Sequence, residues 1–234
     1  MATQTGSRKI SVKKQEETLI DIKQVGNRTE QFFERYQKPL LYGIMAILAI
    51  AATYFAYNNL YKEPKQKEAI QAMYKAEQMM ERDSFAQALN GGGYNGFLDI
   101  IKKYGGVPAG NLSKYYAGVC YINLGKFDDA VSQLESFSPA GSITPTMKNG
   151  LLGDAYSEKK DYAKALQSYK KAATEGDVDN LKAVYLKRYA MLSEIQHDVP
   201  SALEAYKTIK EKYSATDAAR DIEKYIARAE GAKK

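Results

Sequence analysis

The chain has 234 residues, a formal net charge of +6 and a mean hydropathy of −0.49. A single cysteine excludes an internal disulfide, and one histidine beside one cysteine excludes most metal-ligand sets and any Ser-His-Asp or Cys-His nucleophile built from several histidines. Residues 1–38 carry +3 and residues 62–234 another +3, so the larger part of the chain is close to balanced, which argues against nucleic acid as its partner.

The first 38 residues hold eight Lys or Arg and five Asp or Glu. Apolar residues Leu19, Ile20, Ile22, Val25, Phe32 and Phe33 are scattered among them, and Gly26-Asn27 divides the segment. Two readings stay open: an amphipathic helix lying on lipid or on a partner, and a partly disordered tail.

Leu40 to Tyr57 follows, eighteen residues without Asp, Glu, Lys, Arg, His, Asn or Gln. At about 1.5 Å per residue a helix of that length just spans a bilayer's hydrocarbon core. Lys38 and Pro39 stand before it, and Tyr54, Phe55, Tyr57 and Tyr61 cluster at its far end, where amphipathic rings favour the interface. A buried core helix would need apolar neighbours on every side, yet both flanks are strongly polar. A cleaved signal peptide fits poorly, because 38 residues precede the run and the run exceeds the roughly 7–15 residues of a signal core. An uncleaved single-pass anchor is the expectation, with residues 1–38 as tail and 39–61 as membrane segment. Four basic residues lie in the twenty before Pro39 and four in residues 61–80, so only the distal cluster from Arg8 to Lys14 tips the balance. The positive-inside rule then places the tail in the cytoplasm and the large domain across the membrane.

Residues 62–110 read as a less regular helical segment. Residues 65–82 have helical spacing, with Ile70, Met73, Tyr74, Ala76 and Met80 available to one broad face. Asp83 or Ser84 is placed to cap a short helix through Leu89. The run Asn90-Gly91-Gly92-Gly93-Tyr94-Asn95-Gly96 lacks the Gly-Lys-Ser/Thr ending of a phosphate loop and reads as terminator and turn. A helix over Phe97–Tyr104 follows, ended by Gly105-Gly106.

From Leu112 the sequence repeats. Gly118 and Ala130, Gly153 and Ala165, and Ala190 and Ala202 are each twelve residues apart. Tyr121 and Tyr156 lie three after the first small residue; Phe127, Tyr162 and Val199 lie three before the second. Leu134, Tyr169 and Tyr206 lie four after the second, and Phe137, Ala172 and Ile209 seven after it. Paired antiparallel helices need small residues where their backbones cross, and large rings fill the space beside each crossing. Leu124-Gly125-Lys126 and Lys159-Lys160-Asp161 are the expected turns. The third unit departs, with Ser193 where an aromatic is expected, and a final helix over about Thr216 to Ala229 would close the array with a polar face. Cys120 falls in the apolar pattern as a buried thiol, and His197 in an inter-helix loop.

This code resembles the tetratricopeptide repeat. The expected fold is all-α: a single N-terminal transmembrane helix followed by a solenoid of stacked antiparallel helix pairs, with repeats and a capping helix in residues 111–234. The resemblance implies a concave surface lined by the first helix of each unit, where partner proteins bind. In this chain its positions are Tyr115, Val119, Ile122, Asp154, Ser157, Lys187, Met191 and Glu194. It implies no catalytic residue, metal or cofactor.

Anchor, short tail and repeat domain together, with the stretch GFLDIIKKYGG…GNLSKYYAGVCYINLGKFDDAVSQLESF, resemble the YfgM-like family in its Bacteroidetes-type form, over roughly residues 35–230. That resemblance implies an inner-membrane protein with a periplasmic domain. Its implied partners are Sec translocon subunits, a periplasmic chaperone or isomerase, and emerging polypeptides. A scaffold for another envelope assembly and a cytoplasm-facing docking platform are the alternatives.

Overall fold

The computed structural model describes residues 36–232. Both readings of the N-terminal tail therefore fall outside the described residues. Within them the backbone is helical, with no strand. The chain divides into two compact units, Met1–Tyr61 and Lys62–Lys234.

In the first unit, α1 (residues 36–56) passes into a π-helical turn, Tyr57–Lys62. The turn has a local cause. Pro64 lacks the N–H that would bond the Leu60 carbonyl, and its ring crowds that carbonyl, so the ladder widens just before it. Helical backbone runs over Tyr36–Glu81, and its most apolar window has a mean hydropathy of 1.9 with none of it buried. Leu40, Leu41, Ile47, Leu48 and Ile50 are 53–70% exposed. The buried-core alternative is therefore not what the chain adopts. An apolar surface this extensive is long enough to cross a membrane and is poorly tolerated in water.

The second unit holds α2 (Glu63–Glu81), α3 (Phe85–Asn90), α4 (Phe97–Tyr104), α5 (Pro108–Asn123), α6 (Phe127–Ser136), α7 (Thr144–Glu158), α8 (Tyr162–Thr174), α9 (Asp179–Ile195), α10 (Val199–Lys212) and α11 (Ile222–Gly231). A 3-10 turn, Asp217–Ala219, precedes α11, so the single closing helix expected from Thr216 is broken at Arg220-Asp221. Prolines in the first turns of α5, α7 and α10 sit where no N–H is needed. Asp161 and Asp198 cap α8 and α10, accepting from Lys164 N at 3.3 Å and Ser201 N at 3.2 Å. Of the two expected caps of α3, Asp83 and Ser84, it is Ser84 that stands at the cap position, but its hydroxyl donates back to the Arg82 carbonyl at 3.4 Å and makes no bond to the first turn.

Neighbouring helices pack in series: α5 on α6, α6 on α7, α7 on α8, α8 on α9, α9 on α10 and α10 on α11. The first helices of successive hairpins also touch, α2 with α5, α5 with α7 and α7 with α9. Three hairpins, α5/α6, α7/α8 and α9/α10, turn identically. Gly125, Lys160 and His197 have φ of 71°, 63° and 63°. Each donates to the carbonyl three residues back, and the next residue donates five back (Lys126 to Tyr121, Asp161 to Tyr156, Asp198 to Ser193), at 2.8–3.0 Å. The lone histidine is thus an exposed turn residue.

The segment read as irregular contains a fourth copy of this hairpin. Asp83 has φ 55° and donates to Met80, while Ser84 donates to Met79 at 2.8 Å. Ala76 and Ala88, twelve residues apart, are both fully buried, and Phe85 stands three before Ala88 as Phe127 stands before Ala130. The likeness stops at Asn90. Where α6, α8 and α10 continue, Gly91 turns the chain away and α4 resumes.

Close backbone crossings explain the small residues. A Cβ on Gly118 would lie 2.6 Å from Leu134 Cγ, and one on Gly153 would lie 2.4 Å from Tyr169 Cδ1. The side chain four residues past the second small residue therefore lies on the glycine of the first helix. Three runs of buried side chains follow along the unit. They centre on Phe97 and Ile100, on Leu134, Tyr156 and Tyr169, and on Tyr206 and Ile209. Ser193, in the aromatic position, is 1% exposed, and its hydroxyl has no hydrogen-bond partner among the described residues.

Candidate functional site

The eight candidate positions lie on the first helices α5, α7 and α9, and the structure engages most of them internally. Tyr115 is half-buried, edge-on to Tyr116 at 5.6 Å and tilted against Phe137 at 5.7 Å. Burial, then the neighbouring Tyr185 and Tyr116, raises its phenol well above the ordinary value. Ile122 is half-buried against the middle cluster. Val119 and Ser157 are half-buried too, their carbonyls accepting from Asn123 Nδ2 at 2.9 Å and Lys160 N at 2.9 Å.

The two acids are clamped. Asp154 accepts the Tyr169 hydroxyl at 2.8 Å and pairs with Arg188 of α9. Glu194 accepts the Tyr206 hydroxyl at 2.8 Å and is held bidentately by Arg228 of α11, at 3.1 Å from Nε and 2.5 Å from Nη2. In both clamps a tyrosine comes from the second helix of the same hairpin and an arginine 34 residues on comes from a later helix. Burial works to raise the Glu194 carboxyl, but the bonds from Arg228 and Tyr206 outweigh it and hold its pKa below the ordinary value.

Lys187 reaches the Ala218 carbonyl at 3.4 Å and sits 4.4 Å over the Tyr225 ring. Together with Arg228 on Glu194, this means the C-terminal segment engages two of the three α9 candidates, Lys187 and Glu194. Met191 alone of the eight is exposed, at 39%. The structure thus groups Tyr115 and Ile122 at the middle cluster, Asp154 with Tyr169 and Arg188, and Lys187 and Glu194 with α11. The positions bind the array together as much as they face outward.

Sequence reasoning did not single out Arg188, Arg228 or Glu77. The signal for Glu77 was available: it follows Ala76 as Asp154 follows Gly153. Glu77 is half-buried, and burial, then the charge of Glu81, raises its pKa.

Among the described residues no group of three or more His, Cys, Asp or Glu is placed to hold a metal ion. Cys120 is fully buried, and burial pushes its thiol up to about 12. A thiol that stays protonated and enclosed reacts slowly. In the native protein Cys120 is therefore expected to resist a thiol reagent such as Ellman's, and to react fully once guanidinium unfolds the chain; stoichiometric labelling before unfolding would contradict its burial.

No protein-family model, curated protein or solved structure matches the chain. What fold and site define is a class: a protein whose described residues are helical, with one helix among them long and apolar enough to cross a membrane, followed by a unit built from repeated hairpins.

Proposed function

We propose that the chain is a non-catalytic, single-pass inner-membrane protein of tetratricopeptide type, whose second unit lies in the periplasm and gathers protein partners at the Sec translocon, assisting chaperone recruitment or handover of emerging polypeptides. The observation that carries this reading is the wholly exposed apolar helix preceding a unit made of hairpins with one shared turn. Such a helix confines whatever follows it to the bilayer surface. A tether of this kind raises the local concentration of a weak binding surface near its target, so affinity can come from location rather than from a deep site. A chain with one histidine and one cysteine accords with an interaction role.

Topology is the decisive test. Lys67 has an exposed side chain and a surface ion pair with Glu63, so Lys67→Cys is tolerable there. With the outer membrane permeabilised, a membrane-impermeant maleimide should label this cysteine in intact cells, while buried Cys120 stays silent. Labelling only after cell lysis would overturn the periplasmic placement. Photo-crosslinking from exposed Met191 in intact membranes should then yield Sec channel subunits or a membrane-bound chaperone or isomerase; cross-links confined to other envelope machinery would overturn the translocon role.

A further inference from the structure

The contrast between Asp154 and Glu77 points to a binding slot outside the eight positions above. Both residues stand one place after the small residue of a first helix. Asp154 is met by Tyr169, four after Ala165, and by Arg188, two before Ala190 on the next first helix. Counting the same way, the corresponding places are Gly92, four after Ala88 but beyond the point at Gly91 where the chain turns away, and Tyr116, two before Gly118 and close enough for the Glu77 charge to act on its phenol. Neither carries a charge. No described residue donates a hydrogen bond or ion pair to Glu77.

Beside this carboxylate, between α2 and α5, is an open slot of about 300 Å³ lined by Ile70, Met73, Leu112, Pro108, Gln66 and Glu77. Gln66 Oε1 already accepts the Ala109 N–H at 2.9 Å. Glu77 is the one charged group among the lining residues, and cations elsewhere on these helices are engaged: Lys67 with Glu63, Lys75 with Gln78, Lys114 with the Ser136 carbonyl. The volume is at the lower bound of roughly 300–1,000 Å³ for small-molecule sites, suited to one large side chain. Ile70, 54% exposed at its rim, is an apolar contact awaiting cover.

We propose that this slot receives an apolar side chain of a polypeptide partner while Glu77 takes an adjoining Lys or Arg, so that the partner supplies from outside the cation that Arg188 supplies within. The proposal rests on the interaction reading above and names the chemistry it selects: an extended segment in which a large apolar residue neighbours a basic one. A half-buried carboxylate without a counter-ion favours a cation and disfavours an acidic chain.

The test is fluorescence polarisation of full-length protein in detergent micelles with two labelled peptides, Gly-Ser-Leu-Phe-Lys-Arg-Gly-Ser and its Glu-Glu counterpart. The wild-type protein should bind the basic peptide at least tenfold more tightly. Glu77→Lys should remove or reverse that preference, Glu77→Gln should reduce it, and Ile70→Ser should weaken both peptides about fivefold, with melting curves showing that each variant stays folded. Equal binding of the two peptides, no binding, or unchanged binding in Glu77→Lys and Ile70→Ser would overturn the slot while leaving the translocon reading to its own labelling and cross-linking tests. Failure of those tests with intact peptide discrimination would overturn only the reading. If removing residues 1–35 raises peptide affinity tenfold, the chain's own tail is the occupant; if Ile70→Ser abolishes a dimer in sedimentation, a second copy is. Either result also overturns the proposal.

Discussion

Gly153→Ala is expected to lower the thermal midpoint by about 4–8 °C, although alanine is the better helix former. The gain in helix propensity is at most about 1 kcal/mol. Against it stands a Cβ that would lie 2.4 Å from Tyr169 Cδ1. The ring has no room to withdraw. Tyr169 is 6% exposed, its hydroxyl is tied to Asp154, and its ring stacks on Tyr185 with centroids 6.5 Å apart. Overpacking of this kind costs about 3 kcal/mol, leaving a net loss of about 2 kcal/mol, which for a domain of this size corresponds to about 2–4 °C per kcal/mol. Gly150→Ala should be worse, since its Cβ would fall 2.0 Å from Tyr185 Cζ, the ring stacked on Tyr169. Gly231→Ala is the control: nothing lies within 4 Å of the added carbon, so stability should hold or rise slightly. Calorimetric scans of the three variants decide the matter. A midpoint unchanged in Gly153→Ala would mean that α7 and α8 do not cross where described.

Glu194→Ala is the second large effect. Tyr206 is fully buried, and removing the carboxylate strands its hydroxyl. A buried unpaired hydroxyl costs about 1–3 kcal/mol. The ion pair with Arg228 adds little of its own, because the arginine side chain is 53% exposed and screened. The loss should therefore be about 2 kcal/mol, and Tyr206→Phe in the same background should recover part of it, the signature of a coupled pair. The pH dependence has a definite sign. The folded-state pKa lies below the ordinary 4.5, so this contribution is fully present above 4.5 and is lost as pH falls through the folded value. Urea midpoints measured from pH 7 to pH 3 should show a steeper acid-side decline in wild type than in Glu194→Gln. Parallel curves would show that Glu194 is not held as an anion by its clamp.

Much of the architecture was legible in the sequence because it rests on local rules. Eighteen uncharged apolar residues imply a lipid-compatible helix whatever surrounds them. Gly118/Ala130 and Gly153/Ala165 announce crossings because only small residues let two backbones approach, and Phe97–Tyr104 is bounded by glycines on both sides. The α2/α3 hairpin was hidden for a reason equally local. Its code is intact from Ala76 to Ala88, but Gly92 stands where a large side chain would complete it, and the following glycines divert attention to a loop. The closing helix was overextended because nothing in Arg220-Asp221 advertises a break.

The candidate site was less legible. Position on a first helix identified Asp154, Lys187 and Glu194, yet position does not say whether a charge is free or engaged. That depends on Arg188 and Arg228, 34 residues further on, and on tyrosines in the second helices, whose hydroxyl directions follow from how the hairpins stack.

By itself, then, the order of residues determined the apolar helix, the hairpin spacing and the single histidine and cysteine, since each follows from side-chain type along the chain. Only the tertiary structure decided which acids are neutralised and which is left bare. Asp154 and Glu77 occupy the same place in the repeat and differ in what arrives from the next hairpin: a guanidinium in one case, a phenol and an open slot in the other. Charge compensation is a property of neighbours in space, and these neighbours meet only when the helices are stacked.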